Sequence, residues 1–301
     1  MGERRHTEAL RFSPLGEGPR RATSGDGLAL SIDSETGVLT DVLLCRPDHY
    51  RWIETNAIAV QTLGSGRRID AQRLQGEFRQ LEDALDQAGA RRHYIEPEPH
   101  LPYQVYTRDS SQTTPWGPAL TQLALPPRRG EIASILRFHG VHNGFWRYCS
   151  HGAIEGGDIH IIRPGLLLVG WSGIRTTREG AAQFARWFAD EGWETKLHSF
   201  PEHFLHLDVL FCMAAPQLAV ACVEALGDDF ADWLKTRGIR VIDATYREVM
   251  AMSCNLLALG GDRSSRRATA PESTRRCAPR GSRSWIRSSI SAPRGAAASI
   301  A

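Results

Sequence analysis

"TREGAAQFARWFADEGWETKLHSF" occupies residues 177–200. Thr177 is placed to cap the first free amides of a helix, and Phe184, Trp187 and Phe188 recur behind it at helical spacing. Gly192 ends that helix, because glycine enters the left-handed conformation without a side-chain clash. "WETKLHSF" then reads as a strand. The phrase helix, glycine, strand is the key to the rest of the chain.

Three more copies follow the same grammar. Residues 70–88 carry Leu74, Phe78, Leu81 and Leu85 on one face, close at Gly89 and resume as the strand "RRHYIEP". Residues 131–139 present Ile132, Ile135 and Leu136 and end at Gly140. Residues 229–237 present Phe230, Trp233 and Leu234, end at Gly238 and lead into "IRVIDA". Between the helices, "GVLTDVLLCRP" (37–47), "LLLVGW" (166–171) and "CNLLALG" (254–260) read as short buried strands. Such repetition marks an internally repeated α/β architecture. A doubly wound sheet shows the same alternation, so periodicity alone does not separate the two.

Composition narrows the class. The 301 residues are 42% apolar with eight Trp, enough for a sizeable core. A net charge of +2 gives no basis for nucleic-acid or membrane binding, and no run of about 18 apolar residues is present to span a bilayer. Residues 1–27 are polar and glycine-rich without an apolar signal region, and read as a flexible extension. Cys45, Cys149, Cys212, Cys222, Cys254 and Cys277 form no paired spacing, as expected of free thiols in a reducing, cytoplasmic setting.

Three polar clusters lie beside the strand-like runs: "VYTRDSS" (105–111), "AIEGGDIHII" (153–162) and "HFLHLDVLFCM" (203–213). Asp109 follows Arg108 at the end of a strand. Glu155 precedes two glycines that let the backbone come close to a neighbour. His206 and Asp208 are two apart, so on a strand they share a face. Taken singly, each is equally readable as a turn or a cap.

In order, "YTRD", "EGGD", "GWSGIRTTREGA", "HLD" and "MSCNLLALG" resemble the guanidino-group-modifying superfamily of arginine deiminases, dimethylarginine dimethylaminohydrolases and amidinotransferases. The resemblance covers residues 37–263. It implies an α/β-propeller, the pentein fold, of five pseudo-symmetric strand-helix units around a central site, spanning residues 28–263. It implies that Asp109, Glu155 and Asp208 hold a planar guanidinium, that His206 is the general acid/base, and that Arg175, assisted by Arg128, binds the substrate's carboxylate. The implied partner is a small guanidino compound, and the chemistry needs neither cofactor nor metal. The nucleophile in this superfamily is a Cys near the C-terminus, after a glycine run. No such string is present; Cys277 lies in "RRCAPR", and Cys212 and Cys254 sit in apolar runs suited to core thiols.

Residues 264–301 are dominated by Ser, Arg and Ala, and lack Leu, Val, Phe, Tyr, Asp and Lys. Such a segment reads as a disordered tail. Translated back through the genetic code and shifted by one frame, Gly295 to Ala301 permits Gly-Gly-Gly-Val-His-Cys, and "ESTRRCAPRG" permits a helix ending in glycine. The expectation is therefore a frameshift near Arg263 that replaced the last propeller unit and its nucleophile. Two other readings stand beside it: a non-catalytic guanidinium binder retaining Asp109, Glu155 and Arg175, and an unrelated metal-dependent α/β hydrolase using His203, His206 and Asp208.

Overall fold

The computed structural model describes residue 28, residues 30–55, 57–66, 68–142 and 144–260, and the backbone of 285–287. The expected extension at 1–27 and all but three residues of the tail, Cys277 included, lie outside the described residues.

The chain begins with β1 (Asp41–Cys45), α1 (Ala57–Gly64), α2 (Ala71–Ala88) and β2 (Arg91–Ile95). α2 starts where the Asp70 side chain accepts the Arg73 amide at 3.0 Å, and it stops at Gly89, whose φ of 75° is left-handed. Leu74, Phe78, Leu81 and Leu85 form its buried stripe and pack with Val42 and Leu44 of β1. β1 and β2 run parallel, in register from Asp41 opposite Arg91 to Cys45 opposite Ile95.

A second segment holds a one-turn helix α3 (Thr107–Ser110), β3 (Ser111–Thr114), β4 (Gly117–Leu120), α4 (Ile132–Gly140) and β5 (Arg147–Tyr148). A third holds β6 (Ile159–Arg163), β7 (Leu166–Trp171), α5 (Arg178–Asp190) and β8 (Glu194–Ser199). A fourth holds β9 (Phe211–Ala215), β10 (Leu218–Ala221), α6 (Val223–Leu226), α7 (Asp228–Lys235) and β11 (Arg240–Asp243). In each of these three, an antiparallel hairpin is followed by a helix and a strand parallel to the hairpin's second member. The sheets are β3-β4-β5, β6-β7-β8 and β9-β10-β11, so hairpin–helix–strand is the repeated unit of this α/β fold. α8 (Tyr246–Val249), β12 (Leu256–Ala258) and β13 (Trp285–Arg287) complete the described elements, with β12 and β13 antiparallel.

The quoted phrase is realised closely. Thr177 accepts the Gly180 amide at 3.2 Å, Phe184 and Phe188 are buried, and Gly192 has φ 81°. Gly238 ends the α7 turn in the same way, with φ 72°. α4 departs from the pattern. It is preceded by a 3-10 turn over Pro126–Glu131, Gly140 is its last helical residue, and the left-handed glycine falls at Gly144, whose amide bonds to the His139 carbonyl at 2.7 Å. No helix among the described residues is long and apolar enough to cross a membrane.

Residues 30–39 form a strap that fixes one end of the repeated units. Ile32 donates to Thr114 at the end of β3, Glu35 to Ile161 of β6, and Leu39 to Leu259 just past β12. The candidate site lies at the other end of the same strands.

Candidate active site

Asp109, Glu155 and His206 each sit at the short turn that precedes the first strand of a unit, whereas Arg128 lies in the turn after β4 and Arg175 in the loop after β7. Asp109 lies in α3 before β3, Glu155 lies just ahead of the 3-10 turn Gly156–Asp158 before β6, and His206 precedes the 3-10 turn Leu207–Val209 before β9. Equivalent positions of successive units face one centre, so residues far apart in sequence converge. The expectation that Asp109 ends a strand is corrected: it lies in a helical turn that begins one. His206 and Asp208 are likewise not on one strand, because the backbone leaves His206 extended and then turns through Leu207–Val209.

The convergence is tight and buried. Asp109, Glu155 and His206 each offer a ligand atom within 4.8 Å of the others, and all three are buried. His206 Nε2 lies 2.8 Å from Glu155 Oε2 and 4.0 Å from Asp109 Oδ1. Glu155 Oε1 accepts the Ala124 amide at 3.1 Å, and the Glu155 amide donates to the Thr176 hydroxyl at 3.1 Å. Asp109 Oδ1 accepts the Gly157 amide at 3.3 Å.

The two glycines are required by contact. A Cβ on Gly156 would run into the Arg108 carbonyl, and one on Gly157 would lie 2.7 Å from Cγ of the His206 ring. Either methyl would push the acid turn away from its neighbours.

Burial and neighbouring charge act against each other here. Burial alone would raise the Glu155 carboxyl, but the His206 hydrogen bond and the Arg128 and Arg175 charges hold it down to about 2. Burial would discharge His206, but Asp109, Asp158 and Glu155 raise it to about 9, so the imidazolium donates to Glu155. Asp158 is dominated by burial and rises to about 7; its Oδ1 accepts the Leu207 amide at 2.7 Å, and Oδ2 has no hydrogen-bond partner among the described residues.

Arg175 is buried, with Nη1 3.3 Å from Glu155 Oε2. Arg128 is wholly engaged by protein carboxylates: Nε and Nη2 bond bidentately to Glu131 at 2.9 Å each, and Nη1 bonds to Asp109 at 2.8 Å. Asp208 is buried near Asp158, which its charge pushes upward, and it is not part of the Asp109–Glu155–His206 cluster. His203 is exposed beside Tyr246, 3.5 Å from its hydroxyl, so the metal set His203, His206 and Asp208 is not assembled. Asp109, Glu155 and His206 have donor types that could hold an ion, but the Arg128 and Arg175 guanidinium groups already reach those carboxylates.

Cys45, Cys149, Cys212, Cys222 and Cys254 are all buried within hydrophobic clusters. Burial pushes the Cys45 thiol up to about 12 and raises Cys149 and Cys222 as well, the opposite of an activated nucleophile. Sequence reasoning missed Glu131 and passed over Asp158. Glu131 stands three residues after Arg128, the spacing of a facing helical pair, which was the available signal.

The site is thus a buried cluster of carboxylates, an imidazolium and two guanidinium-bearing side chains, built on repeated hairpin–helix–strand units. Residues 67–222 match the arginine deiminase family, and the chain belongs to it, within the guanidino-modifying pentein superfamily. Among relatives, the uncharacterized protein YkgA of Bacillus subtilis is 28% identical over 228 residues, covering 75% of this chain and 77% of that protein. The arginine deiminase of Rhodococcus erythropolis is 34% identical over 149 residues, 46% of this chain but only 35% of the enzyme. Among solved structures, the Pseudomonas aeruginosa dimethylarginine dimethylaminohydrolase complexed with citrulline gives a TM-score of 0.58 at 18% identity, covering 73% of this chain and 80% of that one. The N-terminal domain of ArgZ, covalently bound to a reaction intermediate, gives 0.61 at 20% identity, covering 73% and 80%. These likenesses carry the fold.

Proposed function

We propose that the chain descends from a hydrolase acting on the guanidino group of arginine or a methylated arginine, and that as written it binds such compounds without hydrolysing them. The observation that carries this reading is the buried convergence of Asp109, Glu155 and His206 beside Arg175. Carboxylates in a buried site match the planar donor array of a guanidinium bidentately. His206 is placed to protonate a leaving amine and then to activate water. Arg175 would meet the ligand's carboxylate, and Asp208 would support the cradle from the Asp158 side.

The missing part is the nucleophile. The superfamily's covalent step needs a thiolate at the guanidinium carbon, and the five described cysteines are core thiols. Loss of a covalent nucleophile removes most of such a site's catalysis. We infer a five-unit propeller whose last unit was replaced when the reading frame shifted near Arg263. An amidinotransferase of the same superfamily is the alternative ancestor, differing in whether water or an amine resolves the intermediate.

The test compares two proteins, the chain as written and a frame-corrected chain, with arginine, dimethylarginine and agmatine. Citrulline and released amine from the corrected protein alone support the whole reading. Turnover by the chain as written would show that it has a nucleophile elsewhere. Finding no glycine–His–Cys string in the shifted reading frame would end the frameshift account.

A further inference from the structure

The turns that build the site are tied to one another by a repeated device. Asp109 is the third residue of its helical turn, and its Oδ1 accepts the Gly157 amide of the next unit's turn at 3.3 Å. Asp158 is the third residue of the 3-10 turn Gly156–Asp158, and its Oδ1 accepts the Leu207 amide of the unit after that at 2.7 Å. The third residue of the turn Leu207–Val209 is Val209, so that turn carries no carboxylate at the equivalent position. Asp109 gives its other oxygen to Arg128. The other oxygen of Asp158 is buried without a hydrogen-bond partner among the described residues.

We propose that Asp158 is a positioning residue: it clamps the His206 turn to the Glu155 turn and keeps the His206 ring a hydrogen-bond donor to Glu155. The inference deepens the reading of His206 as the acid/base of a guanidino site and rests on it.

The Leu207 amide follows His206 directly, so the clasp fixes the backbone from which the imidazole projects. Asp158 also lies against Thr176, whose hydroxyl accepts the Glu155 amide at 3.1 Å, and Thr176 follows Arg175 in the chain. One carboxylate therefore joins the three segments that carry His206, Glu155 and Arg175. The charged groups facing the His206 ring are Asp109, Glu155 and Asp158; those facing Asp158 are His206 and Asp208. Arg128 and Arg175 draw on the charge of Asp109 and Glu155, whereas the cation that acts most on Asp158 is His206 itself. His206 Nδ1 is buried without a hydrogen-bond partner among the described residues, so charge rather than a second hydrogen bond decides the state of the ring.

Asp158→Asn tests this, because the amide keeps an oxygen for Leu207 and loses the charge. NMR of histidine-labelled protein follows the His206 ring, whose titration midpoint should fall by about one pH unit or more in the variant. An unmoved midpoint in folded Asp158→Asn would overturn the proposal. Calorimetry with methylguanidinium, cationic like an arginine side chain at every pH used, adds a readout that a merely structural role does not move. The ligand competes with the imidazolium for Glu155, so its affinity should rise with pH as His206 discharges. In Asp158→Asn that rise should move to lower pH by the same interval as the midpoint. A loss of affinity that is equal at every pH would reduce Asp158 to a structural part and overturn the proposal. A second measurement needs no variant: with aspartate carboxyl carbons labelled as well, Asp158 and His206 of wild type should share their titration steps, as coupled groups do. Steps seen in one and absent from the other would also overturn it. If methylguanidinium binds no form while the His206 midpoint falls as expected, the Asp158–His206 coupling stands and the guanidino reading falls.

Discussion

The two ends of the repeated units have been built on opposite principles. Around the turns before β3, β6 and β9, three carboxylates, an imidazolium and two guanidinium groups are packed into a buried centre. Past the middle of the same strands, the strap of residues 30–39 holds on through backbone hydrogen bonds, a bond from the Ser34 hydroxyl to the Ile162 carbonyl at 3.3 Å, and the pair of His160 Nδ1 with Glu35 at 2.9 Å. Arg108 connects the two, donating to the Gly156 and Ile159 carbonyls at 3.1 Å and lowering the Glu35 carboxyl together with His160. Beyond buried Leu30, the strap is made of exposed and half-buried residues, and that is an inexpensive way to tie strands together. Concentrated buried charge is not, since replacing such networks by apolar groups is often neutral or stabilising. The contrast fits the proposed reading, in which the strap serves architecture and the charged end serves the ligand.

The sharpest way to break that contrast is to remove its central acid. Glu155 meets His206, Arg128 and Arg175 through one oxygen. Glu155→Ala leaves three cations facing a cavity, and denaturant titration should show a loss of about 3–5 kcal/mol. Arginine binding should vanish with it. A loss below about 1 kcal/mol would mean that the network is solvated and the buried-site argument fails.

Gly156→Ala comes next. The new methyl would collide with the Arg108 carbonyl, a backbone atom that cannot rotate away. Thermal unfolding should report a loss of about 1–3 kcal/mol. Gly157→Ala meets a side chain instead, and should cost less stability while shifting the His206 titration seen by NMR. An unmoved His206 would show that the two are not packed together.

The charged end should also make stability depend on pH in a defined direction. Asp158 has its folded value raised from the usual 3.8 to about 7, so its contribution is complete below about 4 and is lost as pH rises through about 7. His206, raised from 6.5 to about 9, contributes fully below about 6.5 and loses that contribution as pH rises through about 9. Glu155, lowered from 4.5 to about 2, contributes above about 4.5 and fails as pH falls towards 2. Asp158→Asn removes the first of these while keeping an oxygen for the Leu207 amide. Its melting temperature relative to wild type should rise between pH 5 and pH 8, by on the order of 1–3 kcal/mol of stability. A constant difference would show that Asp158 stays ionised throughout.

What could be read from the sequence follows the same division. Helix ends are set locally, so Asp70, Gly89, Thr177 and Gly192 announced α2 and α5 to within a residue. The end of α4 at Gly140 was also legible, but the left-handed glycine that closes the turn is Gly144, because several glycines compete for one stop. The hairpin β3-β4 carries "SQTT" and "GPAL", too short and too weakly patterned to show a period. Asp109, Glu155 and His206 were legible only as an ordered set, since their meeting depends on how units stack. Glu131 was signalled only by its three-residue spacing from Arg128, a weak sign because a carboxylate near a helix start has an ordinary meaning, and its bidentate hold on a buried Arg128 exists only in three dimensions.

The smallest expected effect falls at the strap. Glu35 is 17% exposed while His160 is 1% exposed, and the two make a single contact among several backbone bonds that no side-chain change removes. Glu35→Gln keeps an oxygen for His160 and deletes one charge, so a loss under about 1 kcal/mol is expected by denaturant titration. Guanidino binding should be unchanged, because no residue of the cradle touches Glu35 directly. If Glu35→Gln instead cost as much as Glu155→Ala, or weakened arginine binding, the two ends would be one coupled network through Arg108. The strap would then belong to the site's chemistry, and the division between architecture and ligand handling would fall.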